Sequence, residues 1–181
     1  MIRQIDLISP RYLELQKALH AEPYGEHGDK WGKTVEMLIR HHMATSVLDY
    51  GCGEGSLKRK LSGRNNTGLR VDEYDPAIPG KDAPPLFADL VVCTDVLEHV
   101  EPDRLENVLA HLRMLARKAV FLVVATVPTA KVLADGRNAH LIVRPAKWWR
   151  KRVQKAGFTL VRPPVVARQK ETHEWVTVLL P

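Results

Sequence analysis

Val47-Leu48-Asp49-Tyr50-Gly51-Cys52-Gly53-Glu54-Gly55-Ser56-Leu57 is the stretch around which the rest of the chain is arranged. A short apolar strand over Ser46–Tyr50 runs into three alternate glycines, and a helix over Glu54–Leu61 is expected to follow. Glycine takes φ > 0 and lets backbone approach a ligand closely. A strand–glycine loop–helix unit also aims the positive end of a helix at whatever the loop holds. The stretch therefore reads as a cradle for a nucleotide-like cofactor. After Gly51-x-Gly53-x-Gly55 comes Ser56, so the G-x-G-x-x-G dinucleotide fingerprint is not met. Neither the G-x-x-x-x-G-K-[ST] phosphate loop nor a G-x-S-x-G nucleophile elbow occurs in the chain.

Ahead of the loop, Ser9-Pro10 opens a helix, with Ser as N-cap and Pro at the first helical position. Tyr12, Leu15 and Leu19 recur at helical spacing, and a second helix carries Trp31, Val35, Leu38 and His42 on one stripe. Residues 1–45 are expected to form a helical cap over the loop, with residues 46–181 as the core of a single domain. Tyr24, His27 and Trp31 are candidates to touch cofactor or substrate, against the plainer reading of core packing.

Beyond the loop, Leu69–Tyr74 is a modest strand ended by Asp75-Pro76. Residues 77–87 carry Pro79, Gly80, Pro84 and Pro85, too many breakers for a helix and a strand, so this sheet edge is expected to be shortened. Asp89–Thr94 is a buried strand, and Pro102 is expected to start a helix with Leu105, Val108, Leu109, Leu112 and Leu115 on one face. Arg117 and Lys118 would close its last turn. Ala119–Thr126 is a third strong strand, Arg144–Ala156 a helix capped by Gly157, and Thr159–Ala167 with Glu174–Leu180 a closing antiparallel hairpin. Such alternation argues a mostly parallel α/β sheet. Ligands in these sheets lie at the carboxyl ends of the strands. The glycine loop, Asp75, Asp95–His99 and the loop after Thr126 should therefore converge.

The chain has 181 residues, 45% of them apolar, enough for one packed core. No apolar run approaches the ~20 residues that span a bilayer, and the first residues lack a secretory core, so a cytoplasmic protein with no membrane partner is expected. Cys52 and Cys93 lack metal or redox spacing, and His41-His42 lacks ligand partners, so no metal site is expected. Arg144, Lys147, Arg150, Lys151, Arg152 and Lys155 alone account for the excess of 27 basic over 21 acidic residues. Interleaved with Trp148 and Trp149, they make nucleic acid a candidate partner; the plainer alternative is a solvated helix face.

Val47–Gly55 resembles motif I of class I S-adenosylmethionine-dependent methyltransferases. Thr94-Asp95-Val96-Leu97-Glu98-His99-Val100 resembles the motif after strand four in the subgroup that includes ubiquinone-biosynthesis methyltransferases, and Asn138-Ala139-His140 before the helix ending Ala156-Gly157-Phe158 resembles that subgroup's late region. The whole chain is similar to small methyltransferase-like proteins of bacteria and phages. The resemblance implies a Rossmann-like class I methyltransferase sheet, an antiparallel C-terminal hairpin, S-adenosylmethionine as cofactor, and methyl transfer to a small molecule or nucleic acid. It implies that Asp49 orients the loop, while Gly51, Cys52 and Gly53 meet the methionine portion together with Asp95, Val96 and Leu97. An acid ending strand two would hold the ribose, Asp75 being favoured over Asp72, with Asp82-Ala83 near the adenine and Tyr24 and Trp31 on the cap side. His140 and His99 are the candidate bases where the nucleophile must lose a proton, the alternative being structural hydrogen bonds; Glu98 is expected to be structural or a helix-start cap. Two departures stand out: Leu115-Ala116-Arg117-Lys118 replaces the family's glycine pair, and the strand-three region is compressed. A nicotinamide-dependent oxidoreductase and a non-catalytic module binding nucleic acid or a partner remain the competing functions.

Overall fold

β1 (Ser46–Tyr50) is buried at all five positions, because parallel neighbours flank it on both sides: β2 (Arg70–Tyr74) and β3 (Ala88–Thr94). The computed structural model describes residues 4–20, 30–62, 68–161 and 173–181. Tyr24 and His27 lie outside them. With β4 (Ala116–Ala125), β5 (Thr159–Val161) and β6 (Glu174–Leu180), the sheet runs in the order β2-β1-β3-β4-β6-β5. Only β6 runs against its neighbours. The mostly parallel sheet with antiparallel closing strands is thus as expected. Residues 75–87 contain turns and no strand, so the sheet ends at β2; each proline there removes a ladder donor.

The helices are α1 (Gln4–Leu7), α2 (Pro10–His20), α3 (Gly32–His41), α4 (Ser56–Ser62), α5 (Leu105–Leu115) and α6 (Ala146–Lys155). Alternate residues of the central strands point to opposite faces. Val47, Leu90 and Val92 meet α3 and α4 through Val35, Leu38, Leu57 and Leu61. Leu48, Val91 and Cys93 meet α5 and α6 through Leu109, Leu112, Trp149 and Val153. Both boundaries of α5 differ from expectation. Residues 102–104 form a turn before α5, and α5 passes into β4 at Ala116 with no connecting loop. Arg117 and Lys118 therefore belong to the strand, where the Lys118 ammonium pairs with Asp89 at 3.2 Å and donates to the Met43 carbonyl at 2.7 Å. Among the described residues, no helix is long and apolar enough to cross a membrane.

α2 begins as its first residues dictate. The Tyr12 amide donates to Ser9 Oγ at 3.2 Å and the Leu13 amide to the Ser9 carbonyl at 2.8 Å, so Ser9 is the N-cap of a helix opened by Pro10.

Candidate functional site

From β1 the chain passes to β2 on one side, while β3 lies on the other, so the carboxyl end of β1 opens at the point where the sheet order reverses. The glycine loop spends its own amides on holding its shape. The Gly51 and Cys52 amides both donate to the Tyr74 carbonyl, at 2.7 and 3.1 Å, and the Gly53 amide donates to Asp75 Oδ2 at 3.2 Å. Gly51 has φ +73°, and a Cβ placed on it would stand 2.3 Å from Val96 Cγ2. The loop after β1 and the loop after β3 thus touch where only glycine fits.

Beneath the loop lies a set of charges. The Lys81 ammonium donates to the Gly53 carbonyl at 2.9 Å and to Glu73 at 3.3 Å, and Lys58 reaches the same carboxylate at 3.4 Å. Asp49 is 4% exposed. Burial, reinforced by the neighbouring Glu73, pushes its carboxyl up to about 7.

The loop floors a cleft with roughly 790 Å³ of empty space, its open mouth included. Gly51, Gly53 and Asp75 line one side, Asp95, Val96 and His99 another, and Ile8, Tyr12, Gln16 and His20 form a roof from the N-terminal segment. The roof is tied down. Ser9 donates from its amide and its hydroxyl to the two oxygens of Glu101, at 2.7 and 2.6 Å. The Tyr12 hydroxyl donates to the His99 carbonyl at 2.7 Å, and the Gln16 amide group to the Tyr12 oxygen at 2.5 Å. Of the segment expected as a helical cap over residues 1–45, α2 lines the cleft while α3 packs into the core.

The two ribose candidates separate. Asp75 lines the cleft. Its Oδ1 accepts from the Ala77 amide at 2.9 Å and its Oδ2 from Gly53, and a carboxylate with about four lone-pair sites keeps capacity for two hydroxyls. Asp72 instead pairs with Arg70 at 2.9 Å and does not line the cleft. Asp95 stands at the cleft wall with φ +57°, a conformation Asp tolerates better than most side chains and one that clusters at functional sites.

Four sequence candidates lie elsewhere. Trp31 is 6% exposed and stacks edge-on against Phe121 at 5.5 Å between ring centres, in the core beside α3. Leu97 is wholly buried among the residues under α5. Cys52 turns its sulfur to the Gly53 carbonyl at 3.6 Å, inside the loop, where burial pushes the thiol up. Asp82 is exposed and accepts from the Gly80 amide at 3.2 Å. None of the four lines the cleft.

His99 lines the cleft, and His140, which does not, meets it edge to face with ring centres 4.8 Å apart. His99 Nδ1 lies 2.8 Å from the Ala139 carbonyl and His140 Nδ1 2.6 Å from the Val127 carbonyl. A carbonyl only accepts, so both Nδ1 atoms carry the hydrogen of these bonds. Burial, and then the neighbouring His140, pushes His99 down to about 4. Glu98 is fully buried, takes the Ala125 amide on Oε1 at 2.9 Å, and is pushed up to about 8 by burial.

On α6, Trp149 is core, while Trp148 lies under the Arg152 guanidinium at 4.7 Å, with Arg144 at 6.0 Å. Arg152 also pairs with Glu106 at 3.0 Å.

Sequence reasoning missed Tyr12, Gln16, His20, Glu101, Glu73 and Lys81 as parts of this site. The spacing of Tyr12 with Leu15 and Leu19 marked a buried face, and nothing local marks what that face covers.

Residues 15–162 match the model of a family described as a methyltransferase domain. Among curated proteins none matches significantly. Among solved structures, the chain is similar to the 1,6-didemethyltoxoflavin-N1-methyltransferase of Burkholderia thailandensis, solved with 1,6-didemethyltoxoflavin and S-adenosylhomocysteine (19% identity, TM-score 0.63, 96% of this chain and 91% of that one). It is also similar to DhpI in complex with SAH (18%, 0.64, 96% and 98%) and to the magnesium protoporphyrin IX methyltransferase of Synechocystis PCC 6803 with bound SAH (15%, 0.54, 94% and 94%).

Proposed function

The chain belongs to the methyltransferase-domain family, and from that premise we propose that it transfers the methyl group of S-adenosylmethionine to an acceptor held under α2. The observation that carries the reading is the cleft in which Gly51, Gly53, Asp75, Asp95 and Val96 come together under one roof. Neighbours solved with S-adenosylhomocysteine or SAH share the fold and give it further support. The residues fit the cofactor. Asp75 can accept from two ribose hydroxyls as charge-assisted bonds, the glycines let the methionine portion approach, and Leu7, Ile8 and Val108 offer apolar walls to a base. Asp95 adds negative charge to the same wall.

The cofactor supplies a methyl group on a positively charged sulfur, already a strong electrophile. What this chain must do is position. Aligning two reactants contributes roughly 7–11 kcal/mol. α2 closes the acceptor side, and its tie through Ser9 to Glu101 keeps Tyr12 and Gln16 over the cleft. His99 lines the cleft with His140 packed against it, and we assign to these imidazoles the activation of the acceptor. Within the family, Thr94–Val100 favours kinship with the ubiquinone-biosynthesis subgroup.

For the acceptor, α6 and the residue Arg144 ahead of it offer a nucleic acid five exposed cations, Arg144, Lys147, Arg150, Lys151 and Lys155. Trp148 is already faced by Arg152, so this helix would contribute phosphate contacts and not base stacking. The reading is tested by incubating the protein with methyl-labelled cofactor and fractionated cell extract. Label should appear in one small-molecule or nucleic-acid fraction and vanish with Asp75→Ala. No labelled product, together with heat of binding from NAD and none from S-adenosylhomocysteine, would favour an oxidoreductase. Binding of neither would favour a non-catalytic module.

A further inference from the structure

A second cavity adjoins the turn that carries His99. It is a groove between the start of α5 and α6, with roughly 1000 Å³ of empty space, its open mouth included. The cleft and the groove share a partition. His99, Val100 and Glu101 line the cleft, and Pro102, the next residue, lines the groove. Leu141, which follows His140, lines the groove as well, and Ile142 beside it donates its amide to the Glu98 carbonyl at 2.9 Å.

The lining combines apolar and cationic side chains. Leu105, Leu141 and Ile142 supply the first kind, and Arg144 and Arg152 the second. Both guanidiniums face the indole of Trp148, with Arg152 at 4.7 Å from the ring centre and Arg144 at 6.0 Å. Stacking uses the flat face of a guanidinium and leaves the N–H fork at its edge free to donate. An arginine held in this way also has less side-chain freedom left to lose when an anion binds. Arg152 gives one donor to Glu106 at 3.0 Å, between side chains 38% and 48% exposed, where an ion pair contributes little. Arg144 pairs with no carboxylate among the described residues. Glu106 is thus one acid against two arginines in the groove. α6 has no acid, and Lys147, Arg150 and Lys151 stand exposed on it.

We propose that this groove binds a phosphate monoester, and that the monoester is a remote part of the methyl acceptor. The phosphate takes the forks of Arg144 and Arg152 in charge-assisted hydrogen bonds. The carbon body next to it lies against Leu105, Leu141 and Ile142. A monoester fits better than a carboxylate or a phosphodiester, because two arginines with lysines beside them can balance a double charge. The role in the acceptor rests on the methyltransferase reading and deepens it. A phosphate held in the groove leaves the reacting atom of the same molecule across the Glu98–Pro102 partition, on the side of His99. Binding energy gained at such a remote group is spent on orienting the reacting one. Arg144 and Arg152 are positioning residues in this account and touch no reacting atom.

The test begins with calorimetry on the wild-type protein, using phenyl phosphate, inorganic phosphate and an oligothymidylate without terminal phosphate. Phenyl phosphate is expected to bind at one site per chain, and more tightly than inorganic phosphate, which leaves the apolar residues uncovered. Arg144→Ala and Arg152→Ala should each weaken it by about tenfold or more, the loss that follows removal of a charge-assisted bond. Affinity for S-adenosylhomocysteine should be the same in both variants as in wild type. In the labelled-methyl assay on cell extract, phosphatase treatment of the extract should abolish labelling. Arg144→Ala should raise the extract concentration for half-maximal labelling about tenfold and leave the plateau in place. No phenyl phosphate binding in protein that binds S-adenosylhomocysteine overturns the proposal, as does binding that survives both substitutions. Tighter binding of the oligothymidylate overturns it in favour of a nucleic acid strand, and labelling that survives phosphatase removes the acceptor role. Failure of S-adenosylhomocysteine to bind wild-type protein would instead strike the methyltransferase reading.

Discussion

Gly51→Ala tests how the two loops of the cleft depend on one another. Two costs act at once. The backbone at φ +73° is left-handed, which costs an L-residue roughly 1–2 kcal/mol. The new Cβ would lie 2.3 Å from Val96 Cγ2 and 3.0 Å from Cγ1, where non-bonded carbons rest at about 3.5–4.0 Å. Something must move by more than an ångström, and overpacking of that kind costs about 1–3 kcal/mol. For a chain of this length each kcal/mol lowers Tm by about 2–4 °C, so Gly51→Ala should melt about 10 °C below wild type. S-adenosylhomocysteine affinity should fall by tenfold or more, because the displaced atoms border the cleft. Val96→Ala leaves only the Cβ contact, at 3.3 Å. The double variant should then recover about 1–3 kcal/mol relative to the sum of the singles, while the left-handed cost persists. The assay is a double-mutant cycle read by both melting and calorimetry. Strict additivity, or wild-type affinity in Gly51→Ala, would refute the claim that Val96 and Gly51 are packed against each other to shape the site.

Other consequences can be checked in parallel. Asp75→Ala should weaken S-adenosylhomocysteine binding by ten- to hundredfold, since charge-assisted bonds contribute about 1.5–3 kcal/mol. Asp72→Ala should change affinity less than twofold by the same titration, its carboxylate being held by Arg70. Asp49 gives a pH signature in the cofactor-free protein. Its folded value of about 7 lies above the ordinary 3.8, so its favourable share is complete below pH 3.8 and is lost as pH rises through 7, on the order of 4 kcal/mol in full. Asp49→Asn should therefore gain on wild type in denaturant melts between pH 5 and pH 8, and a pH-independent gap would contradict this. Ser9→Ala removes a helix cap and one tie to Glu101; it should cost about 1 kcal/mol and speed hydrogen exchange across α2 before that of β1.

What was legible in the chain was what is local. The apolar run into Gly51, Gly53 and Gly55, the Ser9-Pro10 start, and the stripe of Leu105, Val108, Leu109, Leu112 and Leu115 each fix a nearby conformation, and each formed as read. The boundary at Leu115–Ala116 was not legible, because Ala-Arg-Lys suits a helix end as well as a strand start; the pairing of Ala116 with Ala88 decides it. Asp75 could be told from Asp72 only by register. Tyr74 is the last residue paired with β1, so the next side chain is the one at the cleft. Trp31 lay on a correctly read stripe, yet a stripe does not say whether its end faces core or ligand. The roof, the Lys81–Glu73 support and the His99–His140 contact join residues far apart in the chain, and no local pattern encodes them. The expectation that Glu98 is structural or a helix-start cap fits its bond to the Ala125 amide, but the Oε2 without a hydrogen-bond partner among the described residues shows only once the surrounding atoms are in place.

The most direct test of the central claim is a calorimetric titration of the wild-type protein with S-adenosylhomocysteine, with NAD in a parallel cell. A cofactor cleft built from Gly51, Gly53, Asp75, Asp95 and Val96 predicts one site per chain, with heat from S-adenosylhomocysteine and none from NAD. Heat from NAD alone, or from neither ligand, would contradict it.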